Sequence, residues 1–120
     1  QPTSLVLGEV RASVRARVNL IASLHYGQDL QQKTSARIRD LSLGGARVLA
    51  RNLTLQPEEK VTLAAQLQIS GVERLVNLEG IVRSIHFEGT ETQLGVQFLE
   101  LQDNDKVSLQ AYVLSHIYYQ

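Results

Sequence analysis

Over much of this chain apolar and polar residues alternate one for one, a period that leaves the backbone few options. From Arg17 to Tyr26, Val18, Leu20, Ala22 and Leu24 share one parity, while Asn19, Ser23 and His25 hold the other. Successive side chains of a strand point to opposite faces, so this segment reads as a strand with one buried face. Further strands are expected at Thr34 to Asp40, Ala46 to Ala50, Val61 to Ile69, Leu75 to Phe87 and Gln93 to Leu99. In the second, Ala36 and Ile38 face inward and Arg37 and Arg39 outward. Asp40 and Ser42 continue the inward parity, so either the strand ends there or polar groups are aimed at something. Gly27-Gln28-Asp29, Gly44-Gly45 and Pro57-Glu58-Glu59 punctuate the strands. Gly44-Gly45 reads as a turn or bulge because glycine accepts positive φ, and Gly80 reads as a bend in the long fifth strand.

The tail changes period. Asp103 or Asn104 caps a helix on which Val107, Ala111, Leu114 and Tyr118 recur at spacings of four, three and four. Six short strands closed by one helix predict a mainly β fold, a small six-stranded antiparallel barrel with the C-terminal helix plugging or flanking one end. A chain of 120 residues fits one such domain. Residues 1–16 lack clear periodicity and read as a flexible, arginine-bearing arm, with the barrel and its helix over 17–120.

Several kinds of chemistry drop out. The chain has no cysteine, which excludes disulfides, thiolate metal sites and cysteine nucleophiles together. His25, His86 and His116 fall on separate elements without metal-ligand spacing, so no metal site is expected. There is no nucleophile elbow and no P-loop pattern, and no acidic pair stands beside a base, so no catalytic residues and no enzymatic role are expected. No apolar run approaches the roughly 20 residues that span a bilayer and no leader pattern opens the chain, so the expectation is a cytoplasmic domain without direct membrane insertion. A first residue of Gln1 suggests a piece of a longer protein.

What remains is charge and two local patterns. The net charge is zero, yet residues 1–51 carry eight Lys/Arg against three Asp/Glu, and the remainder carries four against nine. An anion-seeking face on the N-terminal half follows. Arg11, Arg15 and Arg17 crowd the approach to the first strand, and guanidinium forks match phosphate oxygens or a guanine edge two bonds at a time. Asp40-Leu41-Ser42-Leu43-Gly44-Gly45 then ends the second strand, with a carboxylate and a hydroxyl suited to base N–H groups and to ribose or phosphate oxygens.

An R-x-x-x-R arm at Arg11 and Arg15, a strand, and a second strand ending in D-x-S-x-x-G at Asp40, Ser42 and Gly45 together resemble the PilZ family of cyclic di-GMP receptors. Gly80-Ile81-Val82-Arg83, then Leu94-Gly95-Val96-Gln97-Phe98, look like the family's last two strands. The closing helix with Leu109, Tyr112 and Val113 is also similar, so coverage runs from about Arg11 to the end. The resemblance implies a PilZ barrel whose ligand is cyclic di-GMP, with no other cofactor. By motif, Arg11 and Arg15 would hold a guanine edge and phosphates, Asp40 would accept from guanine or pair with an arm arginine, and Ser42 would bond the nucleotide. Gly44 and Gly45 complete the expected contact surface, Gly45 keeping it open. Aligning instead on the apolar residue that follows the family's second arginine brings Arg17 into that place, so Arg17 is either a third contact or a replacement.

The function implied is a sensor module of bacterial second-messenger signalling, acting on motility, exopolysaccharide or biofilm formation through a protein partner or an adjoining domain. The alternative keeps the fold as a protein-interaction domain without nucleotide binding. A third reading, an oligonucleotide-binding barrel, lacks stacking platforms: only Tyr26 among the six aromatics falls in the basic half, so no nucleic-acid partner is expected.

Overall fold

The computed structural model describes residues 15–118. Six strands run in chain order as β1 (Ala16–Tyr26), β2 (Gln32–Leu41), β3 (Gly45–Arg51), β4 (Lys60–Ile69), β5 (Val72–Glu88) and β6 (Glu91–Phe98). One helix, α1 (Asp103–Tyr118), follows, and a single 3₁₀ turn (Gln28–Leu30) joins β1 to β2. Every expected strand is present, most of them longer by one to three residues at an end. All pairings are antiparallel, and the order β1-β2-β3-β6-β5-β4 closes because β1 also pairs with β4. Tight connections enforce the neighbours: β4 and β5 are joined by Ser70 (φ 51°) and Gly71 (φ 80°), the primed geometry that matches strand twist.

The inward parity builds the core. Leu24, Ile38, Val48, Leu63, Leu67, Val76, Leu78, Val82 and Leu94 are fully buried from the six strands. Each such side chain contributes about 1.5–3 kcal/mol by leaving water. The helix lies against β4, β1 and β5 and adds Leu109, Tyr112 and Val113 to this core. The stripe of Val107, Ala111 and Leu114 is a correction to the periodicity reading, because it faces away: Val107 is 65% exposed and Leu114 41%. Both faces of α1 are apolar enough to read as a core stripe, and it is the Leu109, Tyr112 and Val113 face that packs on the barrel.

Three irregularities interrupt the pleat, the first of them on β1 between Arg17 and Leu20. On β2, Ile38 pairs with Val48 but Asp40 with Arg47, so Arg39 is an extra residue. On β5, Val82 pairs with Val96 but Ser84 with Gly95, so Arg83 is extra. A bulge of this kind flips the facing of everything beyond it. Leu41 rather than Asp40 therefore points inward, and its side chain is fully buried. The irregularity expected at Gly80 lies three residues later; Gly80 itself sits where a Cβ would fall 2.5 Å from Val96 Cγ1.

Candidate functional site

The β2 bulge decides where the acidic motif residue goes. Asp40 does not continue the inward parity. Its register partners are Arg17 on β1 and Arg47 on β3, which share its outward face. Its carboxylate lies 3.8 Å from Arg47 Nη1 and the side chain is 20% exposed, so the acid is half-sheltered among cations.

Beyond β2 the chain turns at once. Ser42 N–H donates to Gly45 O at 2.9 Å. The Ser42 hydroxyl donates to the same carbonyl at 3.2 Å and accepts from Gly44 N–H at 3.2 Å and Gly45 N–H at 3.1 Å. One donor and two lone pairs are all a hydroxyl has, so each of its positions is occupied inside the turn. Neither glycine uses positive φ. Gly45 is required for a different reason: a Cβ there would stand 2.3 Å from Val96 O, across the β3–β6 pairing. The turn is thus seamed to β6, with Phe98 N–H donating to Gly44 O at 2.9 Å.

A cleft of about 590 Å³ opens beside this turn, bounded by Arg15, Ser42, Gly44, Gly45 and Arg47 on one side and by Arg83, His86, Gln93 and Gln97 on the other. A second, of about 390 Å³, holds Arg17, Arg39 and Asp40 and shares Arg47 and Gln93 with the first. The structure therefore brings Arg15, Ser42, Gly44 and Gly45 to one cleft and Arg17 and Asp40 to its neighbour, with Arg47 between them. Arg11 lies outside the described residues.

Sequence reasoning missed Arg39, Arg47, Arg83, His86 and Gln93. Arg47 carries a signal in hindsight, since it holds the outward parity between buried Ala46 and Val48, two residues past the motif glycine. Arg83 carries the same kind of signal, since it holds the outward parity after buried Val76, Leu78 and Val82. Arg83 Nη1 donates to both carboxylate oxygens of Glu58, and its Nε donates to Gln97 Oε1 at 2.7 Å.

Four exposed arginines (Arg15, Arg17, Arg39, Arg47) beside one carboxylate make a concave, cation-rich surface in the size range of small-molecule sites. Such a surface can hold an anion of several charged groups and offer one acceptor to a donor edge. Among the described residues no group of three or more His, Cys, Asp or Glu side chains is placed to hold a metal. No helix of the described residues is long and apolar enough to cross a membrane.

Known structures of the same architecture are similar to this one. The Bacillus subtilis inhibitor of motility superposes with a TM-score of 0.76 at 20% identity, over 89% of this chain and 50% of that one. This chain thus spans about half the length of that protein. The PilZ domain of YcgR from Escherichia coli, solved with c-di-GMP, gives 0.66 at 18% identity over 88% of this chain and 90% of the other. A tetrameric PilZ protein from Xanthomonas campestris gives 0.64 at 12% identity over 100% and 99%. No curated protein sequence matches significantly. The profile of the PilZ domain matches residues 9–115, nearly the whole chain, and together with the six-stranded ring and its closing helix it establishes that this chain belongs to the PilZ domain family.

Proposed function

We propose that this domain is a cyclic di-GMP receptor module, the nucleotide lying across the two joined clefts beside the Ser42–Gly45 turn. The observation that carries this reading is the register setting Asp40 between Arg17 and Arg47, next to a cleft that Arg15 lines. Cyclic di-GMP presents two phosphodiesters and two guanines. Arginine forks suit its phosphates and the O6/N7 edge, and a carboxylate suits the guanine N–H donors on the opposite edge. Arg15 and Arg17 serve as separate contacts, one in each cleft, with Arg11 as a further one. Ser42 shapes the turn and Gly45 holds it against β6, so their part is to place the backbone beside the ligand. The YcgR domain of the same fold was solved with this nucleotide, which adds support at the level of the family.

In this reading the segment bearing Arg11 and Arg15 closes over the ligand and alters how the domain meets a protein partner or an adjoining domain, an order-on-binding switch. The output is a regulatory one in second-messenger signalling; motility is the natural first choice, by analogy with the inhibitor of motility.

The test is a calorimetric titration with cyclic di-GMP, with GTP as control, on the wild type and on Arg15→Ala and Asp40→Ala of verified fold. Saturable heat with cyclic di-GMP alone, lost in both variants, is expected. Undiminished binding in both variants overturns the site. No heat from a folded wild type favours an interaction domain, and steeply salt-dependent binding of any single strand favours the oligonucleotide reading.

A further inference from the structure

Arg83 is a cleft arginine held by an acid from outside the cleft. It stands at the β5 bulge on the outer face, directly after buried Val82, and lines the larger cleft opposite the Ser42–Gly45 turn. Its partner Glu58 comes from the β3–β4 connection and sits at φ 71°, a left-handed backbone that a residue with a side chain adopts reluctantly. Backbone bonds keep it there: Glu58 N–H donates to Val82 O at 2.7 Å, and Val82 N–H donates to Glu59 O at 2.9 Å. The loop is thus stitched to β5 immediately before the bulge, which delivers the Glu58 carboxylate to the Arg83 guanidinium. Both side chains are well exposed, 47% for Arg83 and 64% for Glu58. An exposed pair of this kind is weak, and a dianionic ligand is a stronger partner for the same fork.

We propose that Glu58 is a built-in competitor for Arg83, and that a ligand phosphate entering the cleft takes its place, making Arg83 a ligand-binding arginine beyond the two sequence motifs. The inference rests on the cleft being the nucleotide site. Gln97 Oε1, which accepts from Arg83 Nε, keeps the guanidinium on the cleft side while its Nη groups exchange partners. The exchange is a substitution of one anion for another at fixed donors, so it requires no rearrangement of the barrel.

A double-mutant cycle read by calorimetry with cyclic di-GMP tests it, using Arg83→Ala, Glu58→Gln and the pair together. Arg83→Ala is expected to weaken binding about tenfold or more, the loss of a charge-assisted contact. Glu58→Gln is expected to tighten binding about two- to fivefold, the worth of an exposed ion pair, and a gain of affinity cannot come from a damaged fold. The gain should vanish when Arg83 is already alanine. Binding by Arg83→Ala within twofold of wild type, or a Glu58→Gln gain that persists unchanged without Arg83, overturns the competitor while leaving the receptor reading intact. A silent wild type beside a binding Glu58→Gln supports the competitor and overturns the receptor reading for the native chain. Silence in both overturns both.

Discussion

Ser42 and Gly45 belong to a motif defined by ligand binding, yet each is explained without a ligand. Ser42 closes its own turn through three hydrogen bonds, and Gly45 lets β3 approach the carbonyl of Val96. Gly45→Ala is expected to lower stability by about 1–3 kcal/mol, since backbone on β6 must yield to the new methyl. Ser42→Ala leaves two turn N–H groups without their acceptor and should cost about 1–3 kcal/mol. Urea unfolding in the absence of nucleotide checks both; unaltered midpoints would remove the structural account of the motif. The spacing D-x-S-x-x-G was legible in the chain, but the work of its members was not. The hydroxyl's partners are backbone atoms two and three residues on, and the glycine's neighbour is 51 residues away, so neither is visible to spacing.

At the scale of elements, alternation finds all six strands and misses the three register shifts, those at Arg39 and Arg83 among them. An extra residue is defined only against the partner strand, and parity counted along one strand carries straight through it. Parity carried through the β2 bulge puts Asp40 inward, whereas Arg83 keeps its outward place after Val82 with or without the extra residue. The helix shows the same limit. Its two apolar stripes have equivalent spacings, and only the sheet beneath decides that Leu109, Tyr112 and Val113 are the buried ones. Leu109→Ala should therefore cost about 2–5 kcal/mol, and Val107→Ala should stay within about 0.5 kcal/mol. Tyr112 adds a pH signature. Burial raises its phenol above the ordinary 10.0, so above that pH the unfolded chain releases a proton that the folded chain retains. The unfolded state then binds fewer protons, and stability must fall as pH rises through that window. Tyr112→Phe should flatten the fall in unfolding midpoint measured above pH 10.0, while the other tyrosines and lysines leave a common background slope.

Over the whole molecule the charge is balanced, yet the two clefts gather Arg15, Arg17, Arg39, Arg47 and Arg83, with Asp40 paired to Arg47 and Glu58 to Arg83. A neutral protein has no general field to gather polyanions, so selectivity rests on this local arrangement. The consequence is measurable as linkage. A ligand that binds only the folded state stabilises it by about 2.7 kcal/mol at a concentration one hundred times its dissociation constant. For a chain of this length that corresponds to a rise in Tm on the order of 10 °C. Cyclic di-GMP should produce this shift in a thermal melt and GTP at the same concentration should not. Because the attraction is between exposed charges, the shift should also shrink several-fold in apparent affinity as salt rises from about 0.05 to 0.5 M, where screening shortens from well over 10 Å to a few ångströms. A shift indifferent to salt would mean that stacking and shape, not the arginines, hold the nucleotide. A shift of equal size with GTP would mean that the clefts recognise phosphate alone, and the pairing of Asp40 with a guanine edge would have to be abandoned.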